Sequence, residues 1–153
     1  MKELALRVRG HWIAEGLDVV RIGSSAIASL RQRFPGEGIE GYLTFLSFAG
    51  LPKTGDVNQF RFWMPNEIAE SADLLKRTGM VSAVDADAER GMVFADHMQE
   101  SWWYRIVLHG SEAGMVRRAG CLAKDRQAPP IGTIWDFLAA YLRDDEVLYP
   151  MEQ

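Results

Sequence analysis

The sequence predicts one domain that mixes helices with antiparallel strands, and three observations predict it. Ile39, Tyr42, Leu43, Leu46 and Ala49 repeat with the i, i+3, i+4, i+7, i+10 rhythm of a buried helical face. Apolar runs starting at Gly91, Trp102 and Met115, separated by short turns, read as a three-strand meander. Thr133, with Asp136 three residues later, opens a last helix in the manner of a capping box.

Size and charge narrow the function classes. A chain of 153 residues can bury a real core without staples and is read as one domain, 1–153. Its 48% hydrophobic and 25% charged residues are the balance of a soluble globule. A net charge of -4 argues against gripping nucleic acid through the overall field, and no Lys/Arg cluster exceeds a dipeptide. Cys121 is the single cysteine, so no internal disulfide forms, which suits a reducing cytoplasm. A small, partly buried filler is preferred to a nucleophile at that position. The mixed charges of residues 1–9 contain no signal-peptide run. No later window approaches the roughly 18 apolar residues of a membrane span. The expected location is the cytoplasm, with no membrane or nucleic-acid partner.

Taken in order, residues 1–16 fit two patterns. Leu4, Leu6 and Val8 alternate like a strand, whereas Leu4, Val8 and Trp12 form a helical stripe; a short helix is favoured. Residues 17–22 are a short extended connection ended by Gly23. Ser24 and Ser25 are candidate caps for a helix with Ile27, Leu30 and Phe34 inward and Arg31 and Arg33 outward. Pro35 closes it. The core helix follows, entered at Pro35-Gly36 and stopped at Gly50 and Pro52, with Phe45 and Phe48 widening its apolar arc so that it packs on more than one side.

Residues 53–56 are a turn, and residues 58–63 alternate polar and aromatic as a half-buried strand. Asn66 is the expected cap of a helix running to about Arg77, with Ile68, Ala72 and Leu75 inward and Gly79 as its stop. Residues 82–90 are acidic and small, an expected surface loop. In the meander, a symmetric hairpin sets Tyr104 opposite Ala95 and Ile106 opposite Val93. Trp102, Tyr104, Ile106 and Leu108 make the inward face. The reverse face carries Trp103, Arg105 and Val107 beside Asp96, Phe94 and Met92, too apolar for idle surface and too charged for deep core. Residues 120–130 are a loop. The final helix buries Ile134, Phe137, Leu138, Tyr141 and Leu142.

Chemistry-bearing patterns are sparse. His97 and His109 fall about seven residues apart along the hairpin, roughly 23 Å of strand, too far to share a metal; His11 stands apart from both in sequence. Gly36-Glu37-Gly38-Ile39-Glu40-Gly41 matches a bare G-x-G-x-x-G, but it follows a helix and a proline rather than a strand, so the dinucleotide context is missing. Asp85, Asp87 and Glu89 lack the glycine and terminal glutamate spacing of a calcium loop. No cofactor or metal is expected. Five Trp residues with interleaved arginines are the surplus, and Trp, Tyr and Arg are the side chains that anchor protein contacts. Trp63, Trp102 and Trp135 are read as core, with Trp103 evenly balanced between core and partly open.

The order of these elements resembles the SUKH superfamily, which includes the yeast cell-wall-assembly regulator domain and bacterial toxin-immunity proteins. The residues that carry the resemblance are Phe34-Pro35, Tyr42-Leu43-Thr44-Phe45-Leu46, Ala49-Gly50, Phe60-Arg61-Phe62 and Glu67-Ile68. They continue as Met92-Val93-Phe94-Ala95-Asp96, Trp102-Trp103-Tyr104 and Ile134-Trp135-Asp136-Phe137-Leu138, spanning roughly residues 20–143. Phe34 stands where the family has Leu, and Ala49 where it has Asn before Gly50.

The resemblance implies an α+β fold with a mostly antiparallel sheet and helices packed against one face. It also implies a non-enzymatic protein-binding module, such as an immunity protein that neutralises a cognate toxin, often a nuclease or deaminase. A net acidic protein suits a basic partner of that kind. On this expectation Trp103 and Arg105 anchor the partner, Asp96 forms a charged rim, and Asp85, Asp87 and Glu89 make a second contact. Two alternatives stand beside it: a regulatory scaffold domain with a housekeeping partner, and a small hydrolase using His97 with Asp96.

Overall fold

The computed structural model describes residues 1–79, 82, 85, 88–120 and 128–150. Asp87 and Cys121, and most of the loop expected at 120–130, lie outside the described residues. Within them the chain is an α+β domain built on an antiparallel sheet.

The first segment is a helix, α1 (Lys2–Ala14), with Ala5, Val8 and Trp12 buried. The helical stripe won over the strand alternation because its apolar positions share one face, which packs against both the core helix and the last helix. A two-residue strand β1 (Val19–Val20) leads to α2 (Ser24–Arg33). Here Gly23, not Ser24 or Ser25, is the cap, and no serine side chain closes the first turn. The core helix enters through a 3-10 turn at Glu37–Ile39 and runs as α3 (Glu40–Ala49), burying Tyr42, Leu43, Phe45, Leu46 and Ala49. Phe48 departs from expectation: it stays 36% exposed, with the Lys2 ammonium 5.4 Å from its ring centre.

Two glycines frame this helix for steric reasons. Gly50 ends it at φ 71°, and a Cβ there would stand 2.2 Å from the Val20 carbonyl of β1, which pairs with β2 (Leu51–Pro52). Gly38, before the helix, lies against the Val107 carbonyl and the Gly114 amide at distances no side chain could occupy. Gly38 N–H donates to the Leu108 carbonyl at 3.0 Å, which ties the helix entry to the far hairpin.

The main sheet runs β3 (Phe60–Phe62), β5 (Met92–His97), β6 (Trp102–Ile106), β7 (Met115–Gly120), β8 (Gly132–Thr133), all antiparallel; β4 (Ala69–Glu70) pairs the remaining part of β5. The β4 pairing displaces the expected helix. Asn66 caps nothing; α4 (Ser71–Thr78) starts five residues later, where the Glu70 carboxylate accepts from the Ala72 and Asp73 amides. The cause is the sheet edge, which takes residues 69–70 as a strand before the chain can turn helical. Gly79 ends α4 as expected.

The meander matches expectation except at one place. Tyr104 lies opposite Ala95, but Ile106 lies opposite Met92, because a bulge between Val93 and Ala95 inserts Phe94. Phe94 therefore turns to the helical side, with its ring 5.2 Å from Phe137, 5.4 Å from Tyr42 and 6.4 Å from Phe62. The last helix, α5 (Ile134–Arg143), carries the expected capping box between Thr133 and Asp136. It buries Ile134, Phe137, Leu138 and Tyr141; Leu142 is only half-buried, and Ala140 joins the buried face in its stead.

Helices α1, α3 and α5 all send aromatic rings to this sheet face: Trp12 to Phe62, Tyr42 to Phe94, Phe137 to Tyr104. Trp12 donates from Nε1 to the Tyr141 hydroxyl at 2.9 Å, which in turn donates to Asp56 at 2.5 Å, so α1, α5 and the turn before β3 share one buried polar chain. No helix among the described residues is long and apolar enough to cross a membrane.

Candidate functional site

The sheet face turned away from these helices holds the residues singled out above. Strand alternation and register put Arg61, Asp96, Trp103 and Ala119 in one cross-strand row, and Val93, Arg105 and Arg117 in the next. Asp96, Trp103 and Arg105 are thus brought together on one face, as expected. Phe94 and Met92 are not: the bulge sends the Phe94 ring to the helical side, and Met92 shares that side with its cross-strand partner Ile106.

The face is far more enclosed than the sequence suggested. Asp96 is fully buried, and Trp103 and Arg105 are each 7% exposed. Asp96 is no charged rim. Its Oδ2 accepts from Trp63 Nε1 at 2.5 Å and from Arg61 at 2.9 Å, and its Oδ1 accepts from the Glu100 amide at 3.1 Å. It holds β3, β5 and the β5–β6 turn to one another. Among the tryptophans Trp63 is core as expected, while Trp102 and Trp135 are half-buried and Trp103 is buried. Trp102 sits on the helical side but near the hairpin end, where the helices no longer cover it fully.

His97, next to Asp96 along β5, points to the other face. It stacks on Trp102 at 4.5 Å and meets Phe60 edge-on at 4.6 Å. Asp96 and His97 therefore form no acid–base pair. Burial holds the His97 imidazole below its ordinary value, against the opposing influence of a backbone bond at Asn58 and of Asp56, Asp96 and Asp144.

The expected acidic contact does not form a single surface. Asp85 is exposed and hydrogen-bonds Ser82 at 2.8 Å, whereas Glu89 is buried at 4% exposure. Glu89 lies close enough to Arg105 for its charge to act on the guanidinium.

Arg105 lines a cleft of about 650 Å³. Three further arginines reach it: Arg33 from the end of α2, Arg90 ahead of β5 and Arg117 from β7. The lining acids are Glu70 and Glu112, and Phe34, Pro35, Val107 and Leu108 supply apolar flank. Arg33 donates to the Pro65 and Ile68 carbonyls at 3.0 and 2.8 Å, and Arg105 to the Arg90 carbonyl at 2.6 Å. Carbonyls orient these guanidinium groups without cancelling their charge. Arg117 forks onto Glu112 at 2.6 and 2.7 Å; that pairing pulls the Glu112 carboxyl down and pushes Arg117 up. Burial pulls Arg105 below its ordinary value, Glu89 opposes the shift and Arg117 adds to it.

Among the described residues, two buried donors on this face have no acceptor: Trp103 Nε1 and Arg105 Nε. Buried donors without partners are uncommon in folded chains and invite an explanation. Arg33, Arg90, Arg117 and Glu112 were not read as site residues from the sequence. A symmetric register across the expected 110–114 turn would set Arg105 opposite Ala119; the observed register, shifted by two residues, sets it opposite Arg117, so alternation gave the shared face but not the apposition. Arg33 comes from a helix far away in sequence, and no local pattern marks it.

Comparison of the chain with family models, with curated proteins and with solved structures finds no match.

Proposed function

We propose that this chain is a non-enzymatic protein-binding module of the SUKH kind, an immunity protein that covers and neutralises a cognate bacterial toxin. The observation that carries the reading is Arg105, a largely buried guanidinium on the sheet face that opens into a cleft shared with three further arginines and an apolar flank. Trp, Tyr and Arg are the residues that dominate protein–protein contacts. The ordered motifs between residues 20 and 143 supply the finer part, neutralisation of a toxin.

The test is rescue and co-elution. Cells expressing a toxin domain encoded beside this gene survive when the chain is co-expressed, and the two elute together as a complex. Continued killing despite full expression of the folded chain, with no complex, sinks the reading. A stable complex with a non-toxic, constitutive protein supports the regulatory scaffold instead.

A further inference from the structure

We propose that the end of the sheet around the β5–β6 turn docks a basic, lysine-bearing segment of the protein partner. The proposal rests on the protein-binding reading and adds a contact at the other end of the β5–β6 hairpin from the Arg105 cleft.

Three turns distant in sequence meet there. The Met98 amide donates to the Gln59 carbonyl at 3.0 Å, which joins the β5–β6 turn to the turn before β3. The Tyr149 ring lies 5.3 Å from His97 and 6.4 Å from Trp102, which brings the residues after α5 onto the same surface.

Backbone strain is the first argument. Among the described residues, the non-glycine residues with positive φ are Gln59, Met98, Gln99, Glu100 and Asp144, at 49–66°, and all of them lie in these three turns. A Cβ makes left-handed backbone unfavourable, whereas glycine adopts it freely. Met98, Gln99 and Glu100 are consecutive, so they make a short left-handed turn. It is held from inside: buried Asp96 accepts from the Glu100 amide at 3.1 Å, and the His97 carbonyl accepts from the Ser101 amide at 3.0 Å. Strain that the surroundings hold in place marks functional segments. All three side chains are exposed, where glycines would serve the turn alone.

The chemistry of the surface is the second. Each turn contributes one exposed apolar side chain, Val57, Met98 and Val147, beside the half-buried rings of Trp102 and Tyr149. The exposed carboxylates of Glu100, Asp144 and Glu146 border them, and no ion pair among the described residues engages any of the three. A lysine matches such a surface, because its aliphatic stem packs on apolar groups while its ammonium meets the carboxylates. A second copy of this chain would set these carboxylates against their own kind.

The experiment uses the full chain and two probes, followed through the backbone amide resonances of residues 57–59, 98–100 and 144–147. The probes are a capped peptide with two lysines among leucines and the same peptide with glutamates in their place. The lysine peptide is expected to move these signals selectively and to bind at least about tenfold tighter than the glutamate peptide. Met98→Gly with Glu100→Gly removes two side chains while keeping the backbone bonds to Asp96 and His97. That double variant is expected to melt at the same or a higher temperature, since glycine relieves the strain, yet to bind the lysine peptide at least about fivefold more weakly. If it does not fold, the resonances of the unaltered chain decide alone. Equal binding of the two peptides, shifts centred elsewhere, or a folded glycine variant that binds as tightly as the unaltered chain overturns the proposal. Shifts that grow with protein concentration without any peptide mean a second copy and overturn it too. A partner complex that forms with these amides unmoved overturns this contact while leaving the protein-binding reading intact.

Discussion

Arg105 and Arg117 stand directly opposite each other on β6 and β7, two guanidinium groups on one sheet face. Like charges in that position oppose pairing by up to about 1 kcal/mol. The sheet tolerates them because Glu112 closes on Arg117 and Glu89 acts on Arg105.

Glu112→Gln is therefore expected to cost about 1 kcal/mol, since Arg117 then faces Arg105 uncompensated. Arg117→Gln should cost less, because it removes the repulsion together with the ion pair. Urea-unfolding midpoints of the two variants and their double mutant measure the difference. Equal losses would show that the like-charge pair is not felt.

Asp96→Ala should destabilise by about 3 kcal/mol, with no need for a partner. It strands the Trp63 indole N–H inside the protein, releases the Glu100 amide of the exposed β5–β6 turn and leaves Arg61 with Glu67 alone. Chemical denaturation reads this directly. A loss below about 0.5 kcal/mol would return Asp96 to the surface role its charge first suggested.

Gly50→Ala should cost roughly 3 kcal/mol, well beyond an ordinary glycine replacement. Both the positive φ and the Val20 carbonyl at 2.2 Å stand against a Cβ. Thermal melting, with the exposed Gly79→Ala as a comparison that meets strain but no clash, separates the two contributions.

His97 makes stability depend on pH. Its folded value is depressed by burial, so between that value and the ordinary one near 6.5 the unfolded chain binds more protons than the folded one. Stability therefore falls as pH drops through this window. The melting temperature should decline less in His97→Gln than in the unaltered protein between about pH 7.5 and about pH 5.5. Identical slopes would remove His97 from the account.

Much of the fold was legible along the chain. The α3 stripe, the Thr133–Asp136 box and the β5–β6 turn depend on contacts within a few residues, and each lies where its local pattern put it. The failures share one origin. Asn66 lost its helix to an edge pairing between residues 69–70 and 92–93, and Ile106 shifted its partner because Phe94 bulged. Neither event has a short-range signature. The site divides in the same way: Trp103 and Arg105 share a face by simple alternation, but their burial depends on what covers that face.

By itself, then, the sequence determined the helical and strand periods, the Thr133–Asp136 capping box, the β5–β6 hairpin and the grouping of Asp96, Trp103 and Arg105, consequences of short-range geometry and of a backbone that repeats every two or 3.6 residues. Tertiary structure alone decided that Asp96 is an interior tie, that Trp103 is enclosed while Trp102 is half open, and that Arg33 meets Arg105 and Arg117 around one cleft. Periodicity assigns a side chain to a face. Only the packing of segments distant in sequence decides whether that face meets water, core or a basic cleft.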